Sequence, residues 1–332
     1  MVNLEWNHFD PIPPLDGTAK GAAEKFYRDL QHAYPEFVAD FENKFTAWQA
    51  RWFDPESPGA VSALQRCELP EYDPLLFLGP KITPLVVHEL SKPGNFIATT
   101  LYNHLETDPQ TQVHPDDILN YLTLTRHANL IVELNYERFQ RAQTHLNAWK
   151  ARCHANRQQQ QQQQQTPTQP QGQTPQTQTL APPPIPLSSP SAQSTTVAHS
   201  GILEGLGLDS LVDPDTSCAE YEALVRMGPG IVAQVMLEYN RDRTGPWGKL
   251  VHQLICERPL EEGQEKEQGG FLDSVEGQEG RDGSIGGEDP VRKEKRLLRR
   301  YEKWRDWFEC QEHHEAVGGS TPSYLKNVAS WS

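Results

Sequence analysis

A 20-residue segment that occurs twice constrains the fold of this chain more than any other feature of its sequence. The first copy, EYDPLLFLGPKITPLVVHEL, begins at Glu71, and the second, EYEALVRMGPGIVAQVMLEY, begins at Glu220. Aligned without a gap, the copies share 8 of 20 residues, where about one identity is expected by chance. Similarity at a fixed offset is typical of a duplicated structural unit, so we predict the same local fold in both places.

Each copy has the pattern of two helices joined at a Gly-Pro pair. Gly79 supplies the left-handed backbone conformation that ends many helices, and Pro80 suits the first position of the next helix. Gly228 and Pro229 repeat this pair in the second copy. We therefore predict a tight turn between two helices at both pairs, with the apolar residues that follow facing a core.

Amphipathic helices are predicted around both copies. Two precede the first copy, at 18–32 and 35–53, and the second of these carries five aromatic residues on one face: Phe37, Phe41, Phe45, Trp48 and Trp52. Further helices are predicted at 96–105, 115–126 and 247–255. The aromatic spacing is typical of residues in a core rather than of a ligand pocket.

A longer amphipathic helix ending in tryptophan follows each copy, with Trp149 after the first and Trp304 after the second. The duplication thus extends over several helices in each half. We predict an all-α protein in which two related multi-helix, HEAT-like helical-hairpin halves pack together through their apolar faces.

Two segments of biased composition interrupt the helical pattern. The first contains eight consecutive glutamines from position 158 and then a Pro- and Gln-rich stretch ending near 200. The second, 261–289, has ten acidic and two basic residues, a charge of −8 within the chain's total of −15. Neither segment can bury enough apolar surface to offset its ordering entropy, so we predict long disordered linkers.

These boundaries divide the chain into seven predicted regions. They are an irregular N-terminal arm (1–18), a first helical half (19–156), a linker (157–200), the first part of a second half (201–260), an acidic loop (261–290), a basic amphipathic helix (291–316) and a C-terminal tail (317–332).

Charge, cysteines and hydropathy limit the partners and the location. A net charge of −15 repels phosphate backbones and anionic lipids, which disfavours nucleic acid and membrane surfaces as partners. The five cysteines are odd in number and form no CxxC pair, which argues against a disulfide framework and against a zinc site. Without an apolar run long enough to span a membrane or a secretory leader, the sequence predicts a soluble protein of the cytoplasm or nucleus.

No stretch carries a recognised catalytic, cofactor or metal signature. HExxH, GxSxG, the P-loop and GxGxxG patterns are all missing from the sequence. We therefore predict no catalytic, cofactor-binding or metal-ligating residue. Enzymatic activity stays open, because a pair of catalytic carboxylates leaves no spacing that a sequence reveals.

A basic helix after the acidic loop is the strongest electrostatic feature. Four of its basic residues fall on one helical face, and Trp307 departs from the helix's main apolar face. The predicted interaction surface consists of Arg292, Arg296, Arg299, Lys303 and Trp307. The alternative is a solvated face, or one paired with the acidic segment just before it, since opposite charges so close in sequence cancel most of the field.

The first copy and the helix after it carry a pattern that resembles a known group of proteins. Its residues are Leu78, Gly79, Pro80, Ile82, Pro84, Val86 and Val87, followed by Phe96, Leu101 and Tyr102. The pattern resembles a family of uncharacterised helical proteins of filamentous fungi, in which an LGP helix precedes an (F/W)-x(4)-LY segment. The LGPKITPLVVHEL stretch is also similar to the second helix of HEAT-type repeats. This resemblance implies a helical fold and no known activity, so it carries no functional residue over.

Three functions remain open on these grounds. The leading hypothesis is a non-enzymatic protein-protein interaction or scaffold protein with an unknown protein partner. The first alternative is an accessory enzyme or small-molecule binder with a pocket between the two halves. The second is a nuclear regulatory protein that uses its glutamine-rich segment.

Overall fold

The computed structural model describes residues 12–54, 66–67, 69–108, 111–113, 121–164, 216–256 and 290–310. These residues form ten α-helices and two short 3-10 helices, and no strand occurs among them, which confirms the all-α prediction for the described part. The α-helices are α1 (Gly17–Ala33), α2 (Pro35–Trp52), α3 (Asp73–Leu78), α4 (Thr83–Leu90), α5 (Ala98–Leu105), α6 (Tyr121–Gln164), α7 (Ala219–Arg226), α8 (Val232–Arg241), α9 (Trp247–Cys256) and α10 (Pro290–Cys310).

Helix α1 begins earlier than the predicted end of the N-terminal arm. The side chain of Asp16 accepts hydrogen bonds from the backbone N–H groups of Thr18, at 2.7 Å, and Ala19, at 2.9 Å. Such a cap satisfies donors that have no partner inside the helix. Gly17 and Thr18, which the sequence places in the N-terminal arm, therefore belong to α1.

The aromatic face of α2 lies in the core, as its spacing predicts. All five aromatic side chains of that face are buried. Neighbouring rings meet edge to face, with centroids 5.7 Å apart for Phe45 and Trp48 and 5.3 Å apart for Trp48 and Trp52. This geometry is favoured between aromatic rings and adds to the stabilisation that burial gives.

Both Gly-Pro pairs form the predicted turn. Gly79 ends α3 with φ 73° and ψ −169°, and Gly228 follows α7 with φ 71° and ψ −172°. Only glycine adopts this positive φ readily. A 3-10 turn, which the sequence does not predict, connects each glycine to the next helix, at Gly79–Ile82 before α4 and at Pro229–Ile231 before α8. The two 3-10 turns contact each other.

Helix α6 is longer than the sequence predicts. It runs without a break over 44 residues and includes part of the glutamine run, whereas a linker is predicted from 157. Glutamine has a good helix propensity, and extending an existing helix avoids the unfavourable nucleation step. The glutamines up to Gln164 therefore continue the helix, and the rest of the predicted linker and the acidic loop lie outside the described residues.

Two long helices connect the parts of the chain before and after the predicted linker, which we call the two segments. Helix α6 contacts α1, α4 and α5, and it also contacts α7 and α8. Its Trp149 ring lies 5.2 Å from that of Tyr221 and 5.7 Å from that of Trp247. Helix α10 in turn contacts α2, and its Phe308 ring lies 4.4 Å from that of Phe37. The described helices thereby share one apolar core.

No helix in the described part of the chain has the combination of length and apolar character that crossing a membrane requires.

Candidate binding groove

A groove of about 330 Å³ opens between four helices. Helices α1, α4 and α6 form three of its sides, and α8, from the segment after the linker, forms the fourth. We call this feature the binding groove. Three of these helices precede the predicted linker and α8 follows it, so the groove needs contact between these parts of the chain.

The floor of the binding groove is apolar. Val87 and Val132 line it and are buried, and the rings of Phe26, Tyr136 and Phe139 line it while remaining half-buried. The Phe26 and Phe139 rings are tilted against each other, with centroids 5.0 Å apart. Aromatic rings that stay partly open to solvent in a concave site provide apolar surface for a ligand.

Small residues of α1 keep the groove open. Ala19, Ala22 and Ala23 line it at positions three and four residues apart, which places them on one face of the helix. Pro84 also lines the groove, in the first turn of α4, where its missing N–H has no intrahelical partner to lose. Larger side chains at these alanine positions would fill the space.

One end of the groove is polar, and glutamines of two helices form it. Gln234 Nε2, on α8, donates to the backbone carbonyl of Phe139 and to Gln143 Oε1, at 3.0 Å in both cases. Gln143 Nε2, on α6, donates to Glu238 Oε1 at 3.3 Å. These bonds hold α8 against α6 and fix the polar groups at the end of an otherwise apolar cleft.

Two ion pairs sharing one carboxylate stand at the groove's mouth. Asp29 Oδ2 lies 2.7 Å from Lys25 Nζ and 3.6 Å from a terminal nitrogen of Arg241. Arg241 also contacts Glu238 at 2.5 Å. Ion pairs at the mouth therefore connect α1 to α8. The two positive and two negative groups there sum to a net charge of zero. An apolar floor beside a few fixed polar groups is suited to holding an amphipathic molecule.

The predicted interaction surface lies on α10, away from the described lining of the groove. Arg292 and Arg299 are exposed, whereas Arg296 and Lys303 are half-buried. The pairing of this face with the acidic segment stays a prediction, since that segment lies outside the described residues.

The prediction that Trp307 is a surface anchor is wrong. Its side chain is fully buried, with its ring edge-on to Trp304 at 5.7 Å. Lys81 Nζ lies 4.9 Å from the Trp307 ring centroid and donates to the backbone carbonyls of Trp307 and Phe308, at 3.1 Å each. Because Trp307 lies off the main apolar face of α10, it packs against the Gly-Pro turn of the first copy. Helical periodicity does not report such a tertiary contact.

A buried ionic cluster lies beside the second Gly-Pro turn, and the sequence did not predict it. Arg138 donates to Glu106 Oε2 and to Asn135 Oδ1, both at 2.6 Å, and Tyr102 Oη donates to Glu106 at 2.9 Å. Burial alone would raise the pKa of Glu106, but the Arg138 charge and the hydrogen bonds it accepts hold that pKa below its ordinary value. We call these four residues the ionic cluster. Its members share no recognisable spacing in the sequence.

The groove left one signal in the sequence that could have located it. Within the repeated segment, Gln234 occupies the position of Leu85, so a polar side chain replaces an apolar one on a buried helix. A buried amide needs hydrogen-bond partners. Here the nitrogen of Gln234 finds two of them on α6, while its Oε1 has no partner among the described residues. The aromatic and alanine residues of the groove carry no such signal, because their spacing is that of any core-facing helix.

Comparison of the chain with known protein families, curated proteins and solved structures gave no significant match.

Proposed function

We propose that this protein is a non-enzymatic binding protein whose groove holds a small amphipathic molecule. The observation that carries the proposal is the groove itself, in which an apolar aromatic floor meets a polar end of fixed glutamines. Its volume of about 330 Å³ falls at the small end of the range for ligand pockets, roughly 300 to 1,000 Å³. This function corresponds to the binder hypothesis of the sequence analysis, with the pocket between the two segments.

A ligand screen with a groove-blocking variant tests the proposal. Ala22 lines the groove and is half-buried, so the A22F variant fills the space, whereas A47F places the same ring on an exposed site of α2. A ligand present at about 100 times its Kd stabilises the protein by about 2.7 kcal/mol, which raises Tm by several degrees. We expect that increase in the wild type and in A47F but not in A22F. A screen of amphipathic compounds without any stabilising one, or a shift that survives in A22F, contradicts the proposal.

We also infer that the two copies are related helical units of a HEAT-like kind. Their glycines have nearly the same backbone angles, and a 3-10 turn follows each. A further correspondence supports the relation: Glu89 pairs with Lys92, and Glu238 pairs with Arg241, at equivalent positions and the same spacing of three. Superposition of the two segments in an experimental structure tests this inference, and different helix directions after the turns would contradict it.

A second candidate function, the protein-protein interaction or scaffold role, is favoured by the exposed side of α10. Arg292 and Arg299 are exposed there, and Val291 is an apolar side chain with 69% of its surface exposed. Such a mixed surface suits the rim of a protein interface. Pull-down with the wild type should recover a stoichiometric partner, and the R292E/R299E variant should lose it. The K20E variant, which changes an exposed lysine of α1, should retain it. Equal recovery by all three proteins would exclude α10 as the contact.

A further inference from the structure

We propose that the ligand of the binding groove carries a carboxylate, and that Lys25 and Arg241 hold this group at the mouth while an apolar chain covers the aromatic floor. The proposal rests on the proposed function and names its ligand class. The chemistry is that of a linear or lightly branched monocarboxylate, and recognition requires both parts of the molecule.

Exposure at the mouth separates the two signs of charge. The side chains of Lys25 and Arg241 are 67% and 53% exposed, while those of their partners Asp29 and Glu238 are 32% and 9% exposed. The carboxylates therefore lie deeper and the cationic groups lie further out. A molecule approaching from solvent meets the positive groups first, which favours an anion.

Hydrogen-bonding capacity at the mouth points to the same ligand class. Lys25 Nζ has three N–H groups and uses one of them on Asp29, and the five N–H groups of Arg241 serve only Glu238 and Asp29 among the described contacts. Acceptor oxygens without a hydrogen-bond partner also remain, among them the buried Gln234 Oε1, but the groups nearest the solvent are the spare donors of Lys25 and Arg241. Those donors match an acceptor group on the ligand.

The positions of the two cations suit one carboxylate. Lys25 Nζ and a terminal nitrogen of Arg241 lie 2.7 Å and 3.6 Å from the same oxygen of Asp29, so both already flank one carboxylate group. An arginine guanidinium matches the planar geometry of a carboxylate, and a lysine ammonium adds a point charge. The rings of Phe26 and Phe139 line the adjacent floor, where an alkyl chain attached to the carboxylate would lie.

Calorimetric titration with decanoate and its neutral counterpart decanol tests the inference. Both probes are used below the concentrations at which they aggregate. We expect decanoate to bind the wild type about tenfold more tightly than decanol, the difference that one charge-assisted hydrogen bond provides at a partly exposed site. Shortening the chain from decanoate to octanoate should weaken binding, by about fourfold for each methylene lost from the apolar floor.

Charge-removing variants identify the groups that hold the carboxylate. K25Q and R241Q should each weaken decanoate binding severalfold and leave decanol binding unchanged. K20Q, changed at an exposed lysine of α1 outside the groove lining, should bind both probes as the wild type does. Thermal melting of each variant without a probe separates loss of binding from loss of fold, since a merely structural effect of R241Q would also weaken decanol.

The results of these titrations test the carboxylate inference separately from the proposed binding function. Equal affinity for decanoate and decanol, with K25Q and R241Q unchanged and A22F defective for both probes, would overturn the carboxylate inference and leave the groove as a binding site. A K20Q effect as large as that of K25Q would also overturn it, because the effect would then be general surface charge. Absence of binding by either probe, together with a ligand screen without stabilisation, would remove the proposed function as well.

Discussion

One position of the repeated segment is a buried lysine in the first copy and a glycine in the second. Lys81, in the first copy, is buried, and its ammonium group donates to the backbone carbonyl of Trp307 in α10. Gly230, its counterpart, has no side chain, and the Arg138 guanidinium lies against its backbone. One copy thus provides a cation at this position, and the other makes room for a cation that α6 provides.

Replacing Gly230 by alanine should destabilise the protein by about 1–3 kcal/mol, the range for forcing extra volume into a packed site. A Cβ atom at Gly230 would lie 2.8 Å from the nearest Arg138 nitrogen. That guanidinium cannot move away easily, because Glu106 and Asn135 hold it on the other side. Urea denaturation measures the change.

The matched control is G21A. Gly21 lies within α1, and a Cβ there meets nothing within 4 Å, so this substitution should stabilise the protein by roughly 0.5–1 kcal/mol through helix propensity. Equal effects of the two alanines would contradict a specific contact between Gly230 and Arg138.

The burial of two histidines predicts that the stability of the fold depends on pH. Burial lowers the pKa of His104 to about 4, from an ordinary value near 6.5, and it also lowers the pKa of His88 to about 4. The unfolded chain therefore binds protons at higher pH than the folded chain. Stability from these neutral histidines is fully present above pH 6.5 and is lost progressively as the pH falls towards 4.

Substituting His104 by glutamine should flatten this dependence. H104Q loses the contact with the Tyr72 hydroxyl and is expected to melt at a lower temperature than the wild type at pH 7.5. Between pH 6.5 and 4, however, its Tm should fall less steeply, because one of the two shifted groups is gone. Thermal melts across that range decide the matter, and parallel curves for both proteins would exclude His104 as a contributor.

At the scale of helices, α10 depends on a lysine far away in sequence. A backbone carbonyl that accepts from a buried ammonium group gains a charge-assisted hydrogen bond. Lys81 donates to two carbonyl groups of α10 from inside the core, where its ammonium also faces the rings of Phe37 and Trp307.

The K81M variant should lower stability by about 1–3 kcal/mol, because the carbonyl groups of Trp307 and Phe308 lose a buried donor. Tryptophan fluorescence during urea unfolding reports the change near Trp304 and Trp307. K44M, which removes a surface lysine paired with Asp40 one turn away, should change stability by less than about 0.5 kcal/mol. An effect of K81M no larger than that of K44M would show that α10 does not need this contact.

Local patterns predicted the helices well, and tertiary contacts account for what they missed. The aromatic face of α2 and the turns at Gly79 and Gly228 follow from periodicity and from backbone conformation, which a short stretch of sequence contains. Trp307 is buried where it contacts Lys81, more than 200 residues away, and no local pattern reports such a contact. For the same reason only Gln234 could have indicated the groove, whose walls come from four helices.

On the scale of the whole molecule, the interleaving of helices predicts cooperative unfolding. Helix α6 packs against helices of both segments, and α10 packs against α2, so neither segment can keep its core after the other unfolds. We expect urea unfolding followed by far-UV circular dichroism and by tryptophan fluorescence to give coincident single transitions. Two separated transitions would indicate that the segments fold independently.

The continuation of α6 into the glutamine run makes the length of that run a geometric variable. Along 44 residues at 1.5 Å each, the helix extends for about 66 Å. Each glutamine added to the helical part would advance its end by about 1.5 Å and rotate it by about 100°. A single insertion would therefore turn the last described residues of the helix to another side, whereas seven insertions would return them to within about 20° of their original orientation. Variation in glutamine number thus acts on direction as well as on length.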